Sequence, residues 1–426
     1  MPTSVIPYIP ETIVVHLGAP TQSAANVTVP FTDYIKNVVS SEIYPTWEPA
    51  ALEANTLAII SFALNRFYTE YYRSRGYDFD ITSSTAIDQK YIEGRNIYEN
   101  ISVLVDEIFD RYLRREGFVE PLAAKFCNGV TTTCDGLSQW GSQYLAEGGA
   151  DAFSILRSYY GNVELVTNAP VQEPSPSYPG TPLRRGDTNA DVALIQFILN
   201  RISQNYPAIP KLTVDGVFGS ATEASVRAFQ SIFDLTADGI VGPATWYKML
   251  LLYVAVQRLS ELQSLGQTYT RYNWELPEPL SIGSTGSRVT FLQYVLSVLA
   301  QFIPSVPEAN ITGTYSENTE EAVRAFQSYA GLPATGSIDD ATWNALYAQY
   351  SAIRSEVLSS GELFPITELD VPEAVPVFAN AQVPAPSIFP QPPTGDAAQR
   401  YTDTSRFLQY PAGGFAAGQE DEEGSL

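Results

Sequence analysis

The chain has 426 residues, a formal net charge of −23 and a hydrophobic content of 45%. This length is typical of two to four domains, and the apolar content is sufficient for buried cores. The acidity disfavours a nucleic-acid-binding protein, which needs a basic face, and disfavours docking on anionic lipid. No run approaches the roughly 18 apolar residues of a membrane-spanning helix, and residues 1–10 lack the features of a secretory signal.

The chain contains a single histidine, His16. Histidine-rich zinc amidases need several such ligands, and most Ser-His-Asp hydrolases are equally disfavoured by this composition. We therefore expect any chemistry to depend on carboxylates.

The first part of the chain, residues 11–166, predicts a mixed α+β domain. Alternating β-branched residues predict strands at 11–17 and 27–30. Apolar residues at helical spacing then predict a series of helices. These helices cover 32–39, 48–73, 97–115, 136–147 and 152–160.

An internal repeat defines the middle of the chain, because adding 97 to a residue number moves from one copy to the other without a gap. In each copy the apolar spacing predicts three short helices, which form a small bundle, and in the first copy Gly242-Pro243 marks the start of the third. The repeat is carried by the pairs Leu183 and Leu280, Gln196 and Gln293, Phe229 and Phe326, and Trp246 and Trp343.

Turn-rich loops join the helices of each copy. In the first copy they hold Asp215, Gly216, Phe218, Gly219, Asp238 and Gly239. This pattern resembles the peptidoglycan-binding-1 family, which implies that these residues form the wall-binding loops. The second copy has Thr312, Ser316 and Thr335 where the first has Asp215, Gly219 and Asp238. Its loops are therefore expected to bind more weakly or to serve mainly as structure.

Composition sets the expected boundaries. An N-terminal domain is expected over 1–168, a Pro-rich linker over 169–180 and the first module over 181–252. A connecting helix and linker are expected over 253–278, and the second module over 279–350. The remainder, 364–426, is Pro-rich with an acidic end, which is typical of a disordered tail.

The N-terminal region resembles the SpoIID/LytB family, and in particular the cortex-lytic enzymes of clostridial spores. Four motifs carry the resemblance in the family's order, at 34–42, 89–91, 136–141 and 155–161. Three departures stand out. Asn55 and Ile60 replace the usual Gln and Arg of the long helix, Thr133 stands at the place of a common His, and the pro-domain of these enzymes is not seen before the motifs.

The resemblance implies lytic transglycosylation, which cleaves glycan between N-acetylmuramic acid and N-acetylglucosamine and leaves a 1,6-anhydro end. Glu42 matches the family's catalytic glutamate. One carboxyl suffices because the sugar's own C6 hydroxyl is the nucleophile, so that the same group first gives and then takes a proton. To act as an acid, Glu42 must have a pKa raised from about 4.3 toward roughly 6. The side chains expected to line the glycan groove are Gln89, Tyr91, Ser138, Gln139 and Trp140.

Two cysteines, Cys127 and Cys134, lie seven residues apart. Three interpretations remain open: a disulfide, a zinc site of the kind that some relatives have, and two free thiols. Zinc requires four ligands, so two thiolates alone are too few. No cofactor is required by the expected chemistry.

Two functions are therefore weighed for the whole chain. The first is a lytic transglycosylase acting on peptidoglycan of the spore cortex or cell wall, made in the mother cell and anchored by its two modules. The second is a non-catalytic wall-binding protein or amidase enhancer, which the altered Asn55 and Ile60 keep open. Neither involves nucleic acid or membrane insertion.

Overall fold

A computed structural model describes residues 7–257, 259, 268–269 and 274–360. The expected tail at 364–426 lies outside the described residues. The described part is a mixed α and β domain followed by two helical modules, as the sequence predicts.

Short strands form one side of the N-terminal domain. The central strand pairs antiparallel with the strand that follows it and parallel with a later one, which gives the order β3-β2-β4. The predicted strands at 11–17 and 27–30 are confirmed within one residue, whereas β1 and β4 were not predicted. The strands are β1 (Ile9–Pro10), β2 (Thr12–His16), β3 (Asn26–Pro30) and β4 (Ile81–Thr82).

Four helices pack around a central one, α2. Helix α2 begins with Pro49 in its first turn, where a missing N–H costs nothing, and it is buried on nearly all sides. Polar caps start α4 and α5, because the side chains of Ser138 and Asp151 accept backbone N–H groups there. The helices are α1 (Phe31–Glu42), α2 (Pro49–Tyr68), α3 (Glu99–Ile108), α4 (Gln139–Glu147) and α5 (Ala152–Tyr160).

The helix predicted over 97–115 is wrong beyond residue 108. Residues Tyr112–Arg115 form strand β5, which pairs antiparallel with β9 (Val163–Val166). The N–H of Leu113 also donates to the hydroxyl of Ser61 on α2, at 2.8 Å. These distant partners satisfy the backbone groups that a longer helix would have used.

Two other predicted helices are shorter than expected. The helix predicted over 48–73 ends at Tyr68, and Glu70 then adopts a left-handed conformation with a φ of 44°. The helix predicted over 136–147 begins only at Gln139. Before it, strand β8 (Leu137–Ser138) pairs in parallel with β6 (Phe126–Cys127).

Each repeat folds as three helices, as predicted. The connecting helix predicted at the start of 253–278 is not separate, because residues 253–257 are the end of α8. Residues 258 and 260–267 lie outside the described residues. The module helices are α6 (Ala190–Ser203), α7 (Ser220–Ile232), α8 (Pro243–Gln257), α9 (Ser287–Ala300), α10 (Glu317–Tyr329) and α11 (Asp340–Ser360).

Both linkers pair with the N-terminal domain. Strand β10 (Val171–Gln172), inside the expected Pro-rich linker, pairs in parallel with β1. Strand β11 (Thr268–Tyr269), between the modules, pairs antiparallel with β7 (Thr132–Thr133).

The hydrophobic core is shared unequally between the modules. The second module, which we call module 2, continues the core of the N-terminal domain as one cluster of buried residues. The first module, module 1, has a separate core around Phe229 and Trp246. The two copies therefore share a fold but differ in their attachment.

A buried ion pair supports the N-terminal domain. Arg66 on α2 donates to Asp88 at 2.9 Å, and both side chains are fully buried. Asp88 also accepts hydrogen bonds from Tyr72 and from the backbone and hydroxyl of Thr82. Such a pair adds little net stability, but losing one partner leaves an uncompensated charge.

We expect Asp88→Asn to lower the free energy of unfolding of the N-terminal domain by about 3–5 kcal/mol, since the Arg66 charge would remain buried. Urea titration followed by circular dichroism measures this change. The control is Glu223→Gln, which breaks an exposed pair with Arg227 and should cost about 0.5 kcal/mol or less. Equal effects of the two substitutions would contradict this account.

Candidate active site

Glu42 is the last residue of α1, and the chain turns into an extended conformation at Ile43. The outward face of α1 carries Lys36, while its inner face packs Tyr34, Val38 and Val39 into the core. Only 7% of the Glu42 surface is exposed. The helix end therefore holds a carboxyl group that is almost removed from water.

Two N–H donors meet the Glu42 carboxyl group. The backbone N–H of Lys90 donates to Oε1 at 2.7 Å, and the side-chain amide of Gln139 donates to Oε2 at 3.2 Å. Burial raises the pKa of Glu42 above that of an ordinary glutamate, while these two donors and the charge of Lys90 oppose part of the rise. Such a group can hold a proton at a higher pH and still be stabilised after losing it.

The backbone at Lys90 is fixed from both sides. Asn37, one turn before the end of α1, exchanges two hydrogen bonds with the backbone of Ile92, at 2.7 and 3.0 Å. On the other side, Gln89 accepts from the hydroxyl of Tyr34 at 2.9 Å and donates to the carbonyl of Ile59 at 3.0 Å. The first donor to Glu42 is therefore held by bonds to α1 and α2.

The second donor depends on the start of α4. Ser138 caps this helix by accepting from the N–H of Gly141 at 3.0 Å. Gly141 is needed there, because a Cβ atom would lie 2.2 Å from the hydroxyl of Tyr159 on α5. The carbonyl of Asn128 also accepts from the N–H of Trp140 at 3.3 Å. These contacts place Gln139 beside Glu42.

Cys127 and Cys134 are joined as a disulfide that closes this Asn128 loop. The side-chain oxygen of Asn128 accepts from three consecutive backbone N–H groups, those of residues 130–132. The disulfide form leaves no thiolate, and the described residues hold no group of three or more His, Cys, Asp or Glu that could bind a metal. The residues here thus do not fit a zinc site.

His16 is held by contacts within the N-terminal domain. One ring nitrogen lies 2.7 Å from the side-chain oxygen of Asn26 and the other 3.0 Å from the carbonyl of Gln22. The ring also stacks on Phe79, with 4.6 Å between the centroids.

Two departures from the family pattern lie in α2. Asn55 donates to the carbonyl of Ala51 and to the hydroxyl of Ser142 on α4, at 2.8 and 2.7 Å. It therefore joins the central helix to the helix that carries Gln139. Ile60 is fully buried in the core. Thr133, which stands at the place of a common His, belongs to β7.

An aromatic cluster lies beside the site. Trp47 and Trp140 have ring centroids 5.0 Å apart, and Tyr44 lies 5.6 Å from each of them. All three rings are buried. Because Tyr44 and Trp47 follow Glu42 closely in the chain, this apolar cluster contributes to its low-dielectric surroundings.

The side chains expected to line a groove are placed in different ways. Tyr91 is half-buried and stacks on Tyr34, with 5.7 Å between the centroids. Gln89, Ser138, Gln139 and Trp140 are buried. Gln139 donates a hydrogen bond to Glu42. The N–H of Lys90 and its support by Asn37 were not predicted, although both residues lie in the motifs at 34–42 and 89–91.

The expected wall-binding loops of module 1 are organised by two buried glutamines. Gln196 accepts from the N–H groups of Asp215 and Gly216 and donates to the Asp215 carboxylate. Gln230 binds the loop of Asp238 and Gly239 in the same way. The backbone N–H of Val217, and then the amide of Gln196, hold the pKa of Asp215 below its ordinary value. The backbone N–H of Ile240, helped by Gln230, does the same for Asp238.

The remaining predicted loop residues of module 1 have structural roles. Phe218 is buried in the core of module 1, and Gly219 is the N-cap of α7. In module 2, Thr312 and Thr335 replace the two aspartates and still bind Gln293 and Gln327. The substitution therefore removes two negative charges while keeping the loop geometry.

Known families match both the N-terminal part of the chain and its two repeats. Residues 21–108 match the family described as stage II sporulation protein, SpoIID. Residues 188–249 and 285–346 each match the peptidoglycan binding domain family, PG_binding_1. The SpoIID match includes Glu42 and Lys90. Separately, no described helix is long and apolar enough to cross a membrane.

Two curated relatives match parts of the chain. The N-acetylmuramoyl-L-alanine amidase CwlL of Bacillus licheniformis is 31% identical over 37% of this chain and 42% of its own length. The zinc D-Ala-D-Ala carboxypeptidase of Streptomyces albus G is 55% identical over 10% of this chain and 16% of its own length. The chain thus spans less than half the length of each relative.

The matches agree with the expected order of domains and indicate a function concerned with peptidoglycan, in the cell wall or the spore. The chain therefore combines a SpoIID domain with two peptidoglycan-binding modules.

Proposed function

We propose that the protein is a peptidoglycan lytic transglycosylase that cleaves glycan strands between N-acetylmuramic acid and N-acetylglucosamine, with spore cortex as its substrate. The observation that carries the proposal is the carboxyl group of Glu42, which is nearly buried, is held by two N–H donors and has a raised pKa. Its position inside the SpoIID match supports the same conclusion.

In the proposed reaction Glu42 acts twice. It first gives its proton to the glycosidic oxygen as the bond to the anomeric carbon breaks. The carboxylate then takes the proton from the C6 hydroxyl of the same muramic acid as that oxygen bonds to the anomeric carbon, which closes the 1,6-anhydro ring. No water is consumed, so a second carboxyl group to activate water is not needed.

The two donors suit this double role. With Glu42 charged, the N–H groups of Lys90 and Gln139 stabilise the carboxylate without a full ion pair. With Glu42 protonated, burial favours the neutral acid. The balance between the two states makes both proton transfers accessible at one pH.

The second candidate is a non-catalytic wall-binding protein. It is favoured by the small exposed fraction of Glu42 and by the complete burial of Gln89, which both limit direct contact with a sugar. The modules would then supply the function by binding peptidoglycan. The following test separates the candidates.

We expect the full chain to release anhydro-muropeptides from purified cortex peptidoglycan, and Glu42→Gln to reduce this release about 10²- to 10⁴-fold by removing the acid and base. Mass spectrometry of the soluble products measures it. Glu107→Gln, the same change at an exposed site of α3, is the matched control. If the wild type releases no anhydro-muropeptides, the chain is a binding protein, and if wild type and Glu42→Gln release equal amounts, Glu42 is not the acid. Free amino groups among the products would instead indicate an amidase.

Removal of the Gln139 donor should change the pH dependence. In Gln139→Leu the carboxylate of Glu42 loses a stabilising hydrogen bond, so that its pKa rises further. Since an acid catalyst is lost as the pH rises through its pKa, the alkaline limb of the pH–kcat profile should move to higher pH. Initial rates on cortex peptidoglycan across the pH range test this, and an unmoved or acid-shifted limb would count against Glu42 as the acid.

A further inference from the structure

The same helix face is partly exposed in module 1 and buried in module 2. Tyr294 of α9 and Phe197 of α6 occupy the same position in the repeat, 97 residues apart. Phe197 is 40% exposed, whereas Tyr294 is completely buried. Because the modules share a fold, the difference means that another part of the chain covers Tyr294 in module 2.

The cover is the N-terminal domain. The ring of Tyr294 meets Trp140 of α4 edge-on, with 6.1 Å between the centroids. Gln301, two turns further along the same face, accepts a hydrogen bond from the hydroxyl of Thr46. Between them, Val298 is fully buried. Residues at this spacing lie on one side of a helix, so the contact uses a continuous face.

In module 1 the same face contacts the end of the module's own helix α8. Arg201 stands where module 2 has Val298, and it donates to the side chain of Gln257 and to the carbonyl of Val256, both at the end of α8. Phe197 contacts Tyr253 of that helix, with 6.1 Å between the centroids. Module 1 thus closes this face with its own residues.

The surface that α9 covers consists of the two segments beside Glu42. One is the loop 43–48, which continues directly from Glu42 and carries Tyr44, Thr46 and Trp47. The other is the first half of α4, where Trp140 follows Gln139. The two segments also bind each other, because the N–H of Glu48 donates to the side-chain oxygen of Gln143 at 2.9 Å.

We propose that module 2 is a docked positioning element of the Glu42 site: α9, through Tyr294, clamps the loop 43–48 and helix α4 so that Gln139 stays on Glu42. Wall binding then depends mainly on module 1, whose loops keep Asp215 and Asp238. The role in catalysis rests on the proposed function, whereas the clamp itself does not.

The interface also contains a cluster of carboxyl groups. Glu308 of module 2 faces Glu147 at the end of α4 and Glu48 before α2. Its counterpart in module 1 is Lys211. Burial, and then the two neighbouring acids, raise the pKa of Glu308 to about 8. Docking is therefore strongest with Glu308 protonated, and this contribution is lost as the pH rises through about 8.

Amide hydrogen exchange of the full chain tests the clamp. In Tyr294→Ala we expect amides of 43–48 and 139–147 to exchange about tenfold faster, because the ring contact with Trp140 is lost. Phe197→Ala, the matched change in module 1, and Tyr294→Phe, which keeps the ring, should leave both segments as in wild type. Unchanged exchange in Tyr294→Ala, with the amides of α10 still protected, would overturn the proposal.

A pH series decides the case in which Tyr294→Ala also unfolds module 2. From pH 6 to pH 9, after correction for the intrinsic pH dependence of exchange, wild-type amides of 43–48 should lose protection, and those of Glu308→Gln should not. Equal behaviour of the two chains would refute docking through this interface.

Kinetics on cortex peptidoglycan then test the positioning role. Tyr294→Ala should lower kcat and leave KM near its wild-type value, since module 1 still binds the wall, while Phe197→Ala should leave both unchanged. If wild type releases no anhydro-muropeptides, the proposed function fails and the exchange data still decide the clamp. If the wild type is active and Tyr294→Ala has the wild-type kcat, the positioning role is refuted.

Discussion

The carboxyl group of Glu42, removed from water yet bonded by two N–H donors, is the constraint on which the N-terminal domain depends. Burial alone would keep this group neutral, and donors alone would keep it charged. The two donors come from segments that lie far apart in the chain, at Lys90 and Gln139. Each segment therefore needs its own fixed support, which explains why so many polar side chains are buried around a single acid.

Those supports differ in their physical nature. The segment of Lys90 is held by amide side chains and lies next to Asp88, whose charge is neutralised by Arg66. The segment of Gln139 is held by the Ser138 cap and the loop of Asn128, which rely on short-range backbone geometry. The disulfide between Cys127 and Cys134 closes the same loop. A disturbance of either segment would thus reach Glu42 through one hydrogen bond.

The sequence predicts the repeated modules and most helices well, because their signals are local. It fails at Tyr112–Arg115, where helical spacing continues but the backbone pairs with a strand some fifty residues later. For the candidate site, the motif predicts Glu42 as the acid. The residue type alone does not distinguish a side chain that lines a groove from one that supports the fold. Gln89 has the polar amide that a sugar-binding residue needs, but α1 and α2 both bind that amide. Lys90 contributes through its backbone, which the residue type does not reveal.

The two modules share a fold and differ in how they are attached to the rest of the chain. Buried glutamines hold the loops in both copies, so that aspartate can become threonine at the loops with the geometry retained. The copies differ on the outer face of their first helices, α6 and α9. There, Arg201 of module 1 corresponds to Val298 of module 2. Arg201 is paired within module 1, whereas the equivalent position of module 2 is fully buried and carries an uncharged side chain, because burial of an unpaired charge is costly. That one difference in the sequence already indicates which module lies against the N-terminal domain, and the buried Tyr294 shows where.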